Sequence, residues 1–155
     1  MGFIDIDLEV HCRYVPSLVA RILDQSCDVA TGQRVYKVSF TFSGMVRWCV
    51  SVGYRCVARV FLKSTFRDTE TGYKFFDRSK IVPLLARCED QRWFWDTEIM
   101  LEAKSAGLRV QEIPVLFQRQ ASSGSTLRVI PDTLGYVRAI RSYRRRTKGT
   151  RSTDG

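Results

Sequence analysis

The segment Phe3-Ile4-Asp5-Ile6-Asp7-Leu8 alternates apolar and acidic side chains, and it decides how the chain is interpreted. Its first two residues predict the end of a buried β-strand, so Asp5 and Asp7 come where a sheet ends. That position is a common ligand site in α/β proteins. Two carboxylates one residue apart, with Glu9 next in the same alternation, can bind a hard divalent cation through oxygen, although an isolated triplet also occurs as solvated loop charges.

Length and composition are those of a globular domain. The chain has 155 residues and a hydrophobic content of 45%, enough for one core. It has no apolar run of about 18 residues and no secretory signal pattern, so neither a membrane span nor secretion is expected. Its five cysteines contain no Cys-x-x-Cys pair, which argues against a zinc site or disulfides and for a reducing, cytosolic setting. The single histidine, His11, has no nucleophile elbow beside it, so a serine hydrolase is not expected.

The charge of the chain is basic and unevenly distributed. The net charge is +9, yet residues 1–32 carry five acidic and two basic side chains, whereas residues 138–155 carry seven basic and one acidic. This pattern suits a polyanionic partner: a nucleic acid, an anionic membrane surface or a phosphorylated substrate. We therefore expect a domain over residues 1–146 and a basic, disordered tail over 147–155.

Periodicity predicts alternating elements in the first half of the chain. A helix with Pro16 in its first turn ends near Ser26, a short buried strand follows at residues 29–30, and residues 31–34 form a loop. Strand, helix and strand in this order begin an α/β layer arrangement. Residues 45–62 predict one long helix with a basic face, which suits either a membrane interface or a core helix with extended arginines.

The second half predicts further elements of the same kind. They are a polar turn followed by aromatic and basic residues over 68–76, a short helix over 81–87, a helix capped by Asp96 and ended by Gly107, an edge strand over 110–117 limited by Pro114, and a helix opened by Pro131. The sequence shows no internal repeat, and its composition does not indicate a second domain.

Taken together, these motifs resemble the family 2 glycosyltransferases of the GT-A type, and in particular the dolichyl- or polyprenyl-phosphate sugar synthases. The resemblance covers the chain from Phe3 to about Arg146. It implies an α/β fold: a partial, Rossmann-like, three-layer GT-A domain that lacks the N-terminal nucleotide-binding half. The matching segments, in order, are Phe3-Ile4-Asp5-Ile6-Asp7-Leu8, Asp28-Val29-Ala30-Thr31-Gly32-Gln33-Arg34, Asp68-Thr69-Glu70-Thr71-Gly72-Tyr73-Lys74-Phe75-Phe76, Trp93-Phe94-Trp95-Asp96-Thr97-Glu98 and Gly107-Leu108-Arg109-Val110-Gln111-Glu112-Ile113-Pro114-Val115, with a Ser-Gly-Ser loop after Arg119.

The resemblance implies a metal-dependent reaction. Asp5 and Asp7 would hold Mg²⁺ or Mn²⁺ against the diphosphate of a nucleotide sugar, and Glu9 would complete the metal shell. A sugar leaves its diphosphate only if the departing charge is stabilised, which a metal does as a Lewis acid. The same comparison makes Asp5, Asp7 and Asp68 the catalytic residues.

Substrate contacts are also implied by the resemblance. Arginine binds phosphate oxygens through two parallel hydrogen bonds, and Arg34 and Arg119 would contact the acceptor or donor phosphates. An acceptor phosphate is already ionised at neutral pH, so little general-base help is needed, which agrees with the lack of a catalytic histidine. The other implied substrate-binding residues are Lys74, Asp96, Glu98 and Ser125.

The implied function is transfer of a hexose from a nucleotide diphosphate sugar to a polyprenyl or dolichyl phosphate, by a protein bound peripherally to the cytoplasmic face of a membrane. Because the nucleotide-binding half is missing from this sequence, we expect impaired activity from this chain alone, and a partner that is a separate N-terminal half or a second copy. Two alternatives stay open: an inactive remnant or subunit, and a basic nucleic-acid-binding module. None of the named nucleic-acid-binding motifs is present, so no nucleic acid partner is expected.

Overall fold

The computed structural model describes residues 1–6, 9–36, 53, 65–92, 94–118 and 129–151. Asp7, Arg119, Ser125 and, apart from Gly53, the predicted helix over 45–62 lie outside the described residues. Within the described ranges the chain forms four β-strands and four α-helices. In chain order they are β1 (Gly2–Phe3), α1 (Val15–Leu23), β2 (Val29–Tyr36), β3 (Lys74–Phe76), α2 (Arg78–Leu85), α3 (Trp95–Ser105), β4 (Val110–Phe117) and α4 (Val129–Arg151).

The four strands form one mixed sheet in the order β1-β3-β2-β4. Strands β2 and β4 are parallel over eight residue pairs, from Val29 opposite Val110 to Tyr36 opposite Phe117. Strand β3 is antiparallel to both β1 and β2. It follows that β1, β2 and β4 all run in the same direction. Their carboxyl ends therefore lie along the same border of the sheet, across the ends of the strands, which is here called the carboxyl edge. Residues that follow these three strands therefore come together at that edge.

Helices cover both faces of this sheet. Successive residues of a strand point to opposite faces, so neighbouring residues of β2 contact different helices. On one face, Val29 packs with Ile81 of α2 and Ile99 of α3. On the other face, Ala30 packs with Leu18 of α1. The described part of the chain is thus an α/β arrangement of three layers, which confirms the fold class that the sequence predicts.

Helix α4 packs against α3 and extends further than the sequence predicts. It continues to Arg151, and so includes the first five residues of the segment for which a disordered tail is predicted. Near that boundary the hydroxyl of Thr147 donates to the backbone oxygen of Tyr143 one turn earlier (3.1 Å), a contact within the helix itself. The apolar cluster between the two helices consists of Phe94, Leu101, Tyr136, Ile140 and Tyr143.

Strand β1 is shorter and more exposed than the sequence predicts. It contains only Gly2 and Phe3, at the outer edge of the sheet. Beyond it, the side chain of Ile6 is 98% exposed. The segment is therefore an edge strand and not the end of a buried one. An edge strand presents one row of backbone donors and acceptors that can pair with a further strand.

Strand β2 is longer than the sequence predicts, because residues 31–34, predicted as a loop, continue the strand. Strand β4 gives every residue of β2 a neighbour. Gly32 reflects close packing instead of a turn, since a β-carbon there would come 3.0 Å from Cγ2 of Val115. The additional length carries Arg34 to the carboxyl edge of the sheet.

Two chain-breaking residues lie where the sequence predicts. Gly107 has a φ of +75° just beyond α3, the left-handed conformation that ends a helix, and Pro114 lies in β4, which is an edge strand. The prediction that Asp96 caps α3 is wrong: Phe94 is the cap residue, and Asp96 lies in the first turn. No helix in the described part of the chain is both long enough and apolar enough to cross a membrane.

Candidate functional site

Asp5 and Gly72 meet at the carboxyl edge of the sheet. Asp5 follows β1 and Gly72 precedes β3, and these two strands are neighbours. The residues are so close that a β-carbon on Gly72 would overlap the carboxylate of Asp5. Because Gly72 has no side chain, it leaves a space that the carboxylate of Asp5 occupies, here called the seat.

Arg34 and Asp68 form a buried, bidentate ion pair at the same edge. Nε of Arg34 donates to Oδ2 of Asp68 (2.7 Å) and Nη2 donates to Oδ1 (2.8 Å), while the backbone N–H of Arg34 also donates to Oδ2 (3.1 Å). The side chain of Asp68 is 1% exposed. Burial raises the pKa of Asp68, but the charge of Arg34 and the hydrogen bonds that the carboxylate accepts together outweigh this, so the pKa lies below its ordinary value. The structure brings these two predicted site residues together, with their charges directed at each other.

The guanidinium of Arg34 lies over aromatic rings and keeps one nitrogen for other contacts. Its central carbon is 5.9 Å from the ring centre of Tyr36 and 5.8 Å from that of Phe117, within the range of cation–π attraction. Nη2 also lies 3.4 Å from Oε2 of Glu70. Nη1 donates to no described residue, and the side chain is 17% exposed. This edge of the guanidinium can therefore meet a ligand.

Glu112 on β4, which the sequence analysis did not single out, holds the segment that carries Asp68. Its Oε1 accepts the backbone N–H groups of Asp68 (2.8 Å) and Arg67 (2.8 Å). Asp68 in turn accepts the backbone N–H of Glu70 (3.1 Å). The turn before β3 is thus built around two carboxylates. The one signal in the sequence is an acidic residue inside a strand, where acidic residues are disfavoured.

Lys74 is fully buried, and its ammonium group is used inside the fold. Nζ donates to the backbone oxygen of Thr71 and to Oδ1 of Asp96 (2.8 Å), and it lies 5.3 Å from the ring centre of Phe3. Burial lowers the pKa of Lys74, and the charge of Asp96 opposes that shift. The structure brings these two predicted substrate-binding residues together. Of the two, Asp96 exposes 27% of its side chain and Lys74 exposes none.

A chain of buried hydroxyl groups connects this site to both α3 and α4. Oγ1 of Thr69 lies 2.9 Å from Oγ1 of Thr97 on α3, which lies 2.9 Å from the hydroxyl of Tyr136 on α4. All three side chains are buried. Thr69 belongs to the turn that carries Asp68, so the position of that turn is tied to the docking of α4.

Glu98 is not brought to this group of residues. Its side chain is fully buried, and Oε2 accepts the backbone N–H groups of Glu89 (3.0 Å) and Asp90 (2.8 Å), while Oε1 accepts Nη2 of Arg146. The carboxylate therefore joins the loop before α3 to α4. Its predicted place beside a sugar pocket has no support in these contacts.

Glu98→Gln is expected to lower the free energy of unfolding by about 1.5–3 kcal/mol, because glutamine keeps an acceptor for the backbone N–H groups but loses the charge opposite Arg146. Urea unfolding measures the change. Glu89→Gln is the control, since Glu89 contacts the same arginine (2.6 Å) with a side chain that is 66% exposed, and its loss should be below about 1 kcal/mol. A stable Glu98→Gln variant that fails to bind nucleotide sugar would return Glu98 to the sugar pocket.

Asp28 forms a separate ion cluster at the opposite end of β2. Its carboxylate accepts hydrogen bonds from the backbone N–H (2.8 Å), Nε (3.2 Å) and Nη2 (3.0 Å) of Arg109. It also accepts one from Nζ of Lys80 (2.6 Å). The hydrogen bonds from Arg109 outweigh the effect of burial and hold the pKa of Asp28 well below its ordinary value of 3.8. The cluster ties α2 and the start of β4 to the start of β2.

The lowered pKa of Asp28 predicts a dependence of stability on acid. A carboxylate whose pKa is lower in the folded state contributes stability that is complete above the ordinary pKa and is lost as the pH falls towards the folded value. The contribution is expected to be about 1.5–3 kcal/mol. When urea unfolding is measured from neutral pH down to about pH 2, the free energy of unfolding should fall less steeply with acid in Asp28→Asn than in the wild type. Asp90→Asn removes a carboxylate that has no ion pair to a described residue. Its free energy of unfolding should fall with acid as steeply as that of the wild type.

Carboxylates at the carboxyl edge suit a hard divalent cation, and Asp5 fits that role best. Its carboxylate lies in the seat made by Gly72, at the exposed end of β1. Glu9 is half-buried, and its backbone oxygen accepts the N–H of Gln118 just beyond β4 (2.7 Å). Within the described ranges no three His, Cys, Asp or Glu side chains are grouped closely enough to hold a metal ion. Because Asp7 lies outside those ranges, the trio of Asp5, Asp7 and Glu9 stays a prediction.

Comparison with known proteins identifies glycosyltransferases as relatives. Glycosyltransferase AglD of Haloferax volcanii is 35% identical over 133 residues, which are 86% of this chain and 21% of that protein. A dolichyl-phosphate beta-glucosyltransferase of Saccharomyces cerevisiae is 26% identical over 104 residues (65% of this chain, 31% of that protein), and one of Trichomonas vaginalis is 37% identical over 109 residues (70% and 32%). The chain spans about a fifth to a third of these curated relatives. No family model and no solved structure matches it.

Fold and relatives agree on a class of protein. The chain is homologous to part of the glycosyltransferases of the family 2 and GT-A type. Within that class, two of the relatives are dolichyl-phosphate beta-glucosyltransferases, so the resemblance seen in the sequence is confirmed.

Proposed function

We propose that this chain forms part of an enzyme that transfers a hexose from a nucleotide diphosphate sugar to a polyprenyl or dolichyl phosphate. The observation that carries the proposal is the convergence of Asp5, Arg34 and Asp68 at the carboxyl edge of one sheet. That edge is where α/β folds bind their ligands. The choice of acceptor rests on the relatives, two of which are dolichyl-phosphate glucosyltransferases.

In this proposal Asp5 and Asp7 hold Mg²⁺ or Mn²⁺, and Glu9 completes the set of oxygen ligands. Both ions prefer carboxylate oxygens. When bound, the cation stabilises the charge of the departing diphosphate. The chain's own contribution is to position the first carboxylate, because Gly72 leaves room for it and strand β1 ends directly before it.

Arg34 binds phosphate through Nη1, the nitrogen that the ion pair leaves over. Asp68 is then a positioning residue and not a catalytic one, because its oxygens already accept hydrogen bonds from Arg34 and from the backbone of Glu70. A guanidinium held in one orientation loses less conformational entropy when it binds phosphate. Arg119 and Ser125 supply further phosphate contacts in this proposal.

The acceptor places the reaction at a membrane surface, and we assign the cytoplasmic face. A polyprenyl phosphate keeps its hydrocarbon chain in the bilayer, so the enzyme has to bind beside it.

The ionised phosphate of the acceptor needs no strong base to attack the sugar. In agreement with that, the single histidine, His11, has a structural contact: its Nδ1 accepts the backbone N–H of Arg13 (3.0 Å) in the turn before α1.

A second hypothesis for the same site is a subunit that works with a partner, or an inactive remnant. The outer edge of β1 favours the subunit, because a further strand from a partner or a second copy can pair there. In that reading the site residues keep their positions, and the nucleotide-binding contacts come from the partner.

Metal binding and sugar transfer test the two readings separately. With Mn²⁺ as the probe, paramagnetic resonance titration should show binding by the full chain that Asp5→Asn weakens by about a hundredfold or more. Asp24→Asn, at the other end of the sheet, is the control and should bind normally. Labelled glucose from UDP, GDP and dTDP donors should then be transferred to dolichyl phosphate only when Mn²⁺ or Mg²⁺ is present. Binding without transfer would favour the subunit, and absence of both would contradict the proposal.

A further inference from the structure

One side of helix α4 carries arginines whose side chains are exposed to solvent. The three exposed arginines, here called the arginine stripe, are Arg138, Arg141 and Arg145. Residues three and four apart lie on the same side of a helix. The stripe is therefore one continuous surface, about 10 Å long at the rise of an α-helix. The opposite side of α4 packs on α3 through two tyrosines and Ile140.

The charge of the stripe is not neutralised by the described part of the chain. None of its three arginines forms an ion pair with a described residue, and residues 135–151 include no acidic side chain. Arg146 differs, because it pairs with Glu89 (2.6 Å) and with Glu98. The helix thus separates an arginine that holds the fold together from three that face solvent.

The helix that carries the stripe is linked to the proposed site through buried hydroxyl groups. Tyr136, two residues before Arg138, is linked through Thr97 to Thr69 in the turn that carries Asp68. Because these hydroxyl groups are buried, α4 has a fixed position relative to that turn. A surface that binds the stripe is therefore held in a fixed orientation relative to that turn.

We propose that the arginine stripe binds the anionic phospholipid surface of a membrane and so brings the site to its lipid-linked acceptor. The choice of partner rests on the proposed function. Arginines near an anionic bilayer are attracted to its surface potential, and each adds to the binding. The contact is electrostatic and does not require insertion, because α3 already covers the apolar side of α4. It should therefore weaken with salt.

A nucleic acid, the other large polyanion, fits this surface less well. Proteins that bind single strands without sequence preference combine positive charge with exposed aromatic side chains on which bases stack. On the part of α4 whose side chains are described, Tyr136 and Tyr143 are both buried. The stripe offers charge without a stacking surface, which matches phospholipid headgroups.

Co-sedimentation of the full chain with vesicles tests the proposal. Vesicles of phosphatidylcholine mixed with phosphatidylserine should bind the chain, and vesicles of phosphatidylcholine alone should bind it far less. The triple variant Arg138→Gln, Arg141→Gln and Arg145→Gln should bind roughly a hundredfold more weakly. A matched triple variant loses the same charge elsewhere and should keep most of the binding; it replaces by glutamine the exposed residues Arg13, Arg78 and Arg92.

Three outcomes would overturn the proposal. One is equal weakening in the two triple variants, which would make net charge the cause. Another is binding that does not depend on phosphatidylserine. The third is tighter binding of single-stranded or duplex DNA at the same salt, lost in the stripe variant. Because these vesicles contain no dolichyl phosphate, and no metal or nucleotide sugar is added, failure of sugar transfer cannot change the result.

Discussion

Asp68→Asn is expected to destabilise the folded chain by about 3–5 kcal/mol, because it removes one partner of a buried charge pair. The carboxylate is 1% exposed and accepts Nε and Nη2 of Arg34 at 2.7 and 2.8 Å. Asparagine has nearly the same shape but no charge, so the guanidinium would stay buried without its counter-charge. Arginine does not lose its proton in proteins, so Arg34 cannot escape this cost by becoming neutral. Urea unfolding at neutral pH measures the change.

Glu70→Gln is the matched control for that experiment. Its Oε2 lies 3.4 Å from Nη2 of the same arginine, and its side chain is 28% exposed. A longer and more exposed contact should contribute less than about 1 kcal/mol. If Asp68→Asn proves as stable as the wild type but abolishes sugar transfer, Asp68 acts on the substrate and the positioning role assigned to it is wrong.

Signals from neighbouring residues were sufficient to predict most of the helices and the end of the sheet at which Asp5 lies. The alternation over residues 3–8 placed Asp5 beyond the end of a strand, and Gly107 and Pro114 marked a helix end and an edge strand. These features depend on backbone conformation within a few residues. The length of β2 was missed, because residues 31–34 are held in the strand by β4, which lies far away in the sequence.

The partners of the charged side chains could not be predicted, because they depend on contacts between distant segments. Arg34 and Asp68 are 34 residues apart, and each alone suits a phosphate or metal site. Asp96 and Glu98 are both acidic residues in the first turn of α3, but their side chains point about 200° apart around the helix axis. One therefore contacts Lys74, whereas the other contacts α4 and the loop before α3.

Gly72→Ala is expected to weaken Mn²⁺ binding by roughly 10–100-fold, as changes that misplace a metal ligand do, while the fold stays intact. A β-carbon at this position would overlap the carboxylate of Asp5. Asp5 is exposed, so its carboxylate can shift without disturbing the buried core. The backbone at Gly72 does not have a positive φ, so alanine introduces no backbone strain. The variant therefore displaces one carboxylate without removing it. Titration of the full chain with Mn²⁺, followed by paramagnetic resonance, measures the affinity.

Gly135→Ala serves as the control, because nothing lies within 4 Å of a β-carbon added there, on helix α4. It should bind Mn²⁺ as the wild type does, since it adds the same methyl group away from Asp5. The comparison with Asp5→Asn separates the presence of the carboxylate from its position. If Asp5→Asn loses Mn²⁺ but Gly72→Ala does not, Asp5 is a ligand whose position Gly72 does not control. If neither variant changes the affinity, Asp5 is not a metal ligand, and the metal-dependent reaction proposed for this edge of the sheet has to be abandoned.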